Sequence, residues 1–274
     1  MKYNGFLIVV LAVLLLSLQG CGGNQASQQM EDRPVDELYS EASDAMERGR
    51  YVEAARLFEE VERQHPYSQW ATRAELMAAF AYYRAGRYDE SIIALDRFIE
   101  LHPGSEEVDY ALYLRALCYY EQISDVARDQ AMTQEALNAF DVLVRRFPDS
   151  RYTRDASLKR DLVLDHLAGK EMEIGRYYLN RNEVNAAMNR FRTVVRDYQT
   201  TTHVPEALHR LTEIYMRLGL RDEAIRVAAV LGHNYPGSSW YRDSYRLLTA
   251  QDRQRLAENR SWLNRTVDSL FRTD

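Results

Sequence analysis

The 274-residue sequence predicts an all-α protein, an α-solenoid of about five helix pairs, and two observations carry that reading. The first is a repeat. Gly49-Arg50-Tyr51 opens a stretch that runs through Ala54, Phe58 and Val61 and closes on His65-Pro66-Tyr67-Ser68. Thirty-seven residues later the wording returns as Gly86-Arg87-Tyr88, Ser91, Leu95, Phe98 and His102-Pro103-Gly104-Ser105. Looser closures follow at Pro148-Asp149-Ser150, Gln199-Thr200-Thr201 and Pro236-Gly237-Ser238, so closing positions are 37, 45, 51 and 37 residues apart. A unit of that length with two helical patterns cannot bury its apolar face alone, and stacking copies supplies the core. The second observation is composition. With 6 prolines, 12 glycines and no long alternating run of β type, the chain favours helix, while 46% hydrophobic and 28% charged residues suit a folded protein.

Ahead of the repeats, Lys2 precedes an uncharged apolar run from Phe6 to Leu18, which suits a signal-peptide core and is short for a membrane span. It ends in Leu18-Gln19-Gly20-Cys21, which resembles a bacterial lipobox, with Cys21 the acylated residue and Gln19 a departure from the small residue usual there. An ordinary cleaved signal with an incidental cysteine is the other reading. Gly22 rather than Asp follows Cys21, and by resemblance to lipoprotein sorting rules this points to the outer membrane. The next residues are polar and without apolar periodicity, as in a tether between lipid and domain. Such an anchor would itself supply the membrane affinity. The expected organisation is a signal peptide at 1–20, a lipidated tether at 21–34, repeats one to three at 35–150, and a linking helix, repeats four and five and a C-terminal helix at 151–274. With Cys21 lipidated, Cys118 has no disulfide partner and reads as a buried thiol.

In the first unit, Leu38, Ala42 and Ala45 make one helical face, Gly49 ends that helix, and Tyr51, Ala54, Phe58 and Val61 face it from the next. These residues resemble the tetratricopeptide repeat: small residues at 42 and 54 let the helices approach, Phe58 fills the space between them, and Pro66 stops the second helix. The second unit puts Ala79, Tyr82, Gly86, Tyr88, Leu95, Phe98 and Pro103 in the same places. The third has Leu112, Ala116 and Tyr119, then a charged insertion around Ser124–Gln130, then Ala136, Phe140, Leu143 and Pro148. That insertion reads either as a partner-facing loop or as a plain solvated one. From Tyr152 the pattern runs on through Leu158, Leu162 and Leu167 towards Tyr178, as a long helix linking two halves. The fourth unit (Ala187, Phe191, Val194) has Asn182 and Gln199 where the others have glycine and proline; the fifth carries Leu208, Leu211, Tyr215, Gly219, Ala224 and Leu231. A terminal helix from about Ser239, with Tyr241, Tyr245 and Leu248 and a continuation to Leu256, Leu263 and Leu270, would cap the stack.

Chemistry is hard to find. The six histidines are scattered, and no metal-protease, CxxC, phosphate-loop or nucleophile-elbow motif occurs. The sequence is therefore read as non-enzymatic, without metal or cofactor. A net charge of −6 argues against nucleic-acid binding, which needs concentrated Lys and Arg. Binding of protein segments remains. Placing the first helices of units one to three in register lines a groove with Tyr39, Ser43 and Met46, then Arg73, Leu76, Phe80, Tyr83 and Arg84, then Tyr110, Tyr113, Leu117 and Tyr120. Such a surface could take an extended or helical peptide, apolar side chains in aromatic pockets and an arginine on a carboxylate. The competing reading is that several of these tyrosines only pack between helices.

Lipobox, polar tether, five repeats and a long helix after the third together resemble the BamD (ComL/YfiO) family, the outer-membrane lipoproteins of the β-barrel assembly machinery. The residues that carry the resemblance are Tyr51-x-x-Ala54, Pro66-Tyr67-Ser68, Phe147-Pro148-Asp149-Ser150-Arg151-Tyr152 and Arg196-Asp197-Tyr198. The resemblance implies a protein at the periplasmic face of the outer membrane that binds the periplasmic domains of BamA, accepts companion lipoproteins and helps recruit unfolded outer-membrane proteins. It implies that the groove of units one to three takes their C-terminal segments, and that Arg196 and Asp197 belong to the BamA contact. A periplasmic tetratricopeptide scaffold coordinating cell-envelope or peptidoglycan processes is the alternative.

Overall fold

The computed structural model describes residues 33–258, with side chains to 255. Cys21 and the lipobox, most of the tether, Leu263, Leu270 and the side chain of Leu256 lie outside the described residues. Twelve helices follow one another among the described residues: α1 Val35–Glu47, α2 Tyr51–Gln64, α3 Ala71–Arg84, α4 Tyr88–Leu101, α5 Val108–Tyr120, α6 Ala131–Arg146, α7 Thr153–Asn180, α8 Val184–Asp197, α9 Val204–Arg217, α10 Arg221–Asn234, α11 Ser239–Leu247 and α12 Ala250–Glu258. The first ten pack chiefly on their neighbours in sequence, α11 packs on α9 more than on α10, and α12 packs back on α10. This is a tetratricopeptide-type solenoid of five pairs, α1/α2 to α9/α10, followed by two short helices.

The turn inside a pair is set by one backbone conformation. Gly49, Gly86 and Gly219 have φ of 73°, 72° and 74°, and Asn182 takes 62° at the matching place in the fourth pair. In all four turns the next residue's N–H reaches back five residues at 2.9 Å, Arg50 to Ala45, Arg87 to Tyr82, Glu183 to Tyr178 and Leu220 to Tyr215. That is the 6→1 bond of a Schellman cap, which needs a left-handed residue before it. Asparagine is the residue that tolerates this conformation best after glycine, so the missing glycine leaves the turn intact. Asn182→Ala should cost about 1 kcal/mol and Asn182→Gly should be near neutral in chemical denaturation.

Closure between pairs is equally regular. His65, His102, Phe147, Tyr198 and Tyr235 end their helices at φ −124° to −132° and ψ 44° to 65°. Four of them precede proline, which disfavours helical backbone before it. Tyr198 adopts the same geometry without one, and the Gln199 side-chain amide donates to the Arg196 carbonyl at 3.0 Å, satisfying one of the helix-end acceptors.

The core repeats with the punctuation. Ala54, Ser91, Ala136, Ala187 and Ala224 are fully buried where the paired helices cross, and Phe58, Leu95, Phe140 and Phe191 sit fully buried one turn on. Ser91 stays buried because its hydroxyl donates to the Ala79 carbonyl at 2.8 Å. Cys118 is a buried free thiol, as the sequence implies, and burial raises it to about 11. The long helix, α7, is the linking helix and the first helix of the fourth pair in one unbroken run. Ala156, Val163 and Leu167 join the core of the earlier pairs, Ala168 and Met172 that of the later ones.

The C-terminal end departs from the expected single helix. After α11 the chain turns extended at Leu248 (ψ 136°), which buries that side chain against Ile225 and Ala228. A reciprocal cap then restarts the helix: Thr249 N–H and Oγ1 donate to Asp252 Oδ2 at 3.0 and 2.6 Å, and Asp252 N–H donates to Thr249 Oγ1 at 3.2 Å. Burying Leu248 outweighs helix continuity. On the other side of α11, His209 Nδ1 lies 2.9 Å from Ser244 Oγ and its ring 5.2 Å from that of Trp240. His209, and then Arg210, hold the neighbouring Glu213 carboxyl down to about 2. A depressed carboxyl stabilises the fold above its unfolded value of 4.5 and loses that contribution as pH falls towards 2. Glu213→Gln should therefore flatten the acid limb of a series of melts taken through that window.

Candidate functional site

The groove expected from the first helices of units one to three begins on α1. Tyr39 is half-buried, edge-on to Phe58 at 5.3 Å and against Trp70 at 4.7 Å. On α3, Arg73 and Arg84 are exposed and Phe80 and Tyr83 half-buried, with the two rings 6.4 Å apart and stacked. Phe80 reaches Tyr110 of α5 at 6.5 Å, and Tyr110 and Tyr113 both meet Tyr152, at 5.3 and 5.0 Å. Tyr120 stands one end further, 6.1 Å from Phe140, with Lys159 Nζ 5.8 Å from its ring. Phe80, Tyr83, Tyr110, Tyr113 and Tyr152 thus form one aromatic run across three successive pairs.

Leu76 and Leu117, expected on this face, are instead packed into the core at 7% and 9% exposure. Their positions turn them towards the partner helix rather than outward. Three contributors escape a reading restricted to first helices. Tyr51 and Tyr88 come from second helices: Arg84 lies 4.8 Å over the Tyr51 ring and donates to its hydroxyl at 2.6 Å, and Tyr88 meets Tyr83 at 5.9 Å. Tyr152 comes from the turn just before α7, the place that Trp70 holds before α3; Trp70 covers Tyr39, and Tyr152 covers Tyr110 and Tyr113. An aromatic four residues beyond a closing proline was the available signal.

Electrostatics keep the run neutral but polar. Burial pushes the Tyr110 phenol up to about 12. Burial, and then Asp155, raise that of Tyr113 further, and the Tyr113 hydroxyl donates to Asp155 Oδ2 at 2.5 Å. Cations flank it: Arg84 on Tyr51 and Phe80, Arg151 4.7 Å over Tyr152, and Lys159 beside Tyr120. Aromatic faces with cations at the rim can hold apolar side chains and pair with a carboxylate.

Arg196 and Asp197 stand apart from this run, exposed at the C-terminal end of α8. The guanidinium is forked onto its neighbour, Nε to Oδ1 at 2.7 Å and Nη2 to Oδ2 at 2.8 Å. A partner carboxylate would have to compete with Asp197 for it. Among the described residues no group of His, Cys, Asp and Glu is placed to hold a metal ion, and no helix is long and apolar enough to cross a membrane.

Fold and surface together define a tetratricopeptide-type solenoid with an aromatic face on its first three pairs. The chain belongs to the YfiO family of outer membrane lipoproteins, whose profile matches residues 31–231. It is 50% identical over 244 residues to the outer membrane protein assembly factor BamD of Caulobacter vibrioides, covering 88% of this chain and 80% of that one. It is 45% identical to the protein of the same name from Rickettsia prowazekii, over 88% of this chain and 96% of that one. Among solved structures it is similar to a thermophilic TPR protein of Thermus thermophilus, with TM-score 0.36 and 19% identity over 82% of this chain and 98% of that one.

Proposed function

We propose that the chain is a non-enzymatic scaffold of outer-membrane protein assembly, held at the periplasmic face of the outer membrane by lipid on Cys21. The names of its relatives support the process, and the description of its family supports the lipoprotein class. The observation that carries the binding role is the aromatic run from Phe80 through Tyr110 to Tyr152 and Tyr113. On this reading Tyr39, Arg73, Phe80, Tyr83, Arg84, Tyr110, Tyr113 and Tyr120 take the C-terminal segments of unfolded outer-membrane proteins, which typically end in an aromatic residue. That ring enters between the tyrosines, and the terminal carboxylate meets Arg84 or Arg73. Arg196 and Asp197 belong to a separate contact with the periplasmic domains of BamA, and companion lipoproteins occupy further surface.

In-cell photocrosslinking tests both assignments. A photoreactive residue at Tyr83 or Tyr113 should yield client or companion adducts, and one at Arg196 should yield BamA adducts. BamA captured only from the groove positions would reverse the division of labour. Adducts confined to peptidoglycan or division proteins would replace assembly with envelope coordination.

A further inference from the structure

Away from the aromatic run, the loop between α5 and α6 folds back on α7 and encloses a cleft. Lys170 Nζ donates to the Ala127 carbonyl at 2.9 Å, and the Gln130 side-chain amide donates to the carbonyls of Asp125, Val126 and Arg128 at 3.4, 3.3 and 3.0 Å. Gly169 lies beneath. A Cβ there would stand 3.2 Å from His203 Nε2 and 3.8 Å from Val126 Cγ1, so the absent side chain makes room for loop and turn to converge. The cleft holds about 420 Å³, and a second hollow of about 290 Å³ adjoins it, sharing Leu162 and His166 as walls.

Three features of this place are unexplained by the fold. Leu158 and Leu162 are 61% and 59% exposed, one turn apart on α7 and so on one face. His166 continues that row, and its Nε2 is buried without a hydrogen-bond partner, a costly state for a ring nitrogen. Finally, the walls are unbalanced in charge. Glu121, Asp125, Asp165 and Glu173 line the two hollows. Asp125 accepts from the Ala127 N–H at 2.8 Å, and Asp165 accepts from Thr202 and faces His203 at 3.6 Å. That leaves Glu121 and Glu173 against one guanidinium, Arg176, which Glu206 already holds at 3.2 Å through both oxygens.

We propose that this cleft docks a short segment of a partner protein in which an apolar side chain lies within a turn or so of a lysine or arginine. The apolar group covers Leu158 and Leu162, removing exposed hydrocarbon from water. The cation enters among the carboxylates, and a polar group of the segment gives His166 Nε2 its missing partner. Acidic peptides, phosphates and anionic lipid headgroups would meet like charge here.

The test uses the full-length protein in its own cells, with a photoreactive residue at Leu158 and the captured peptide sequenced by mass spectrometry. The expected adduct is one segment of another protein with Lys or Arg close to Leu, Ile, Val or Phe. Its yield should fall by about tenfold in the Glu121→Lys, Glu173→Lys double variant, which reverses two exposed charges. Leu162→Glu, a second variant that leaves those charges alone, should lower it as well. An acidic segment, a lipid, a second copy of the chain, residues 259–274 of the same chain, or no adduct with the protein at its normal level would each overturn the proposal. So would a yield indifferent to both variants while their thermal melts match the parent.

Discussion

Truncating Phe191 to alanine is expected to cost about 3–5 kcal/mol of folding stability. The ring is fully buried and lies directly on α7 at Gly175, where a Cβ would come within 2.5 Å of Cε1 and 2.9 Å of Cζ. No side chain fits between them. Gly175→Ala should therefore destabilise by about 1–3 kcal/mol through overpacking. Helix propensity alone predicts the opposite sign, a gain of up to about 1 kcal/mol, so the experiment separates two causes. In a Phe191→Leu background the ring atoms that collide are gone, and the Gly175→Ala penalty should shrink by at least about 0.5 kcal/mol. Urea denaturation of the four proteins in the cycle reads this directly. An equal penalty in both backgrounds would mean that the contact does not govern the position.

The second large effect concerns the groove as proposed. Tyr152→Ala should weaken binding of a peptide ending in an aromatic residue by about thirtyfold, roughly 2 kcal/mol, as for a central aromatic of an interface. Its ring is stacked on Tyr113 at 5.0 Å and leans on Tyr110 at 5.3 Å, so removing it takes away the one ring that touches both. Tyr152→Phe keeps the ring and should keep the affinity. Fluorescence anisotropy with a labelled peptide measures both. Because the phenols of Tyr110 and Tyr113 are raised above the ordinary tyrosine value, they stay neutral donors, and the affinity should be flat from about pH 6 to pH 9. An unchanged affinity in Tyr152→Ala would move the binding surface elsewhere.

What could be read from the sequence was whatever the backbone demands of particular residue types. Left-handed turns favour glycine and pre-proline residues avoid helix, so Gly49, Gly86, Pro66 and Pro103 announced the period and the helix pairs. Small residues at helix crossings, Ala54 and Ala136 among them, could be read for the same reason. Asn182 and Gln199 looked like losses because the conformation survives with a different side chain, a substitution that the spelling of the motif conceals. The groove was legible only in outline. Register gives the face of a helix but not how deeply it sits, so Leu76 and Leu117 were placed outside. It also says nothing about the turn that follows, so Tyr152 was missed as a groove residue. The break at Leu248 had a local signature in Thr249-x-x-Asp252, but the burial that rewards it is a tertiary fact.

One consequence of α7 is mechanical. With 28 residues in one unbroken helix it is a rod about 42 Å long, embedded at one end with the early pairs and at the other with the late ones. A load applied to either end is carried by axial hydrogen bonds rather than by a bending loop. Tyr113, through its bond to Asp155 in the first turn of α7, and Phe191, seated on Gly175 near the last, grip the same beam. The two grips therefore sit on one continuous helix, with no loop between them.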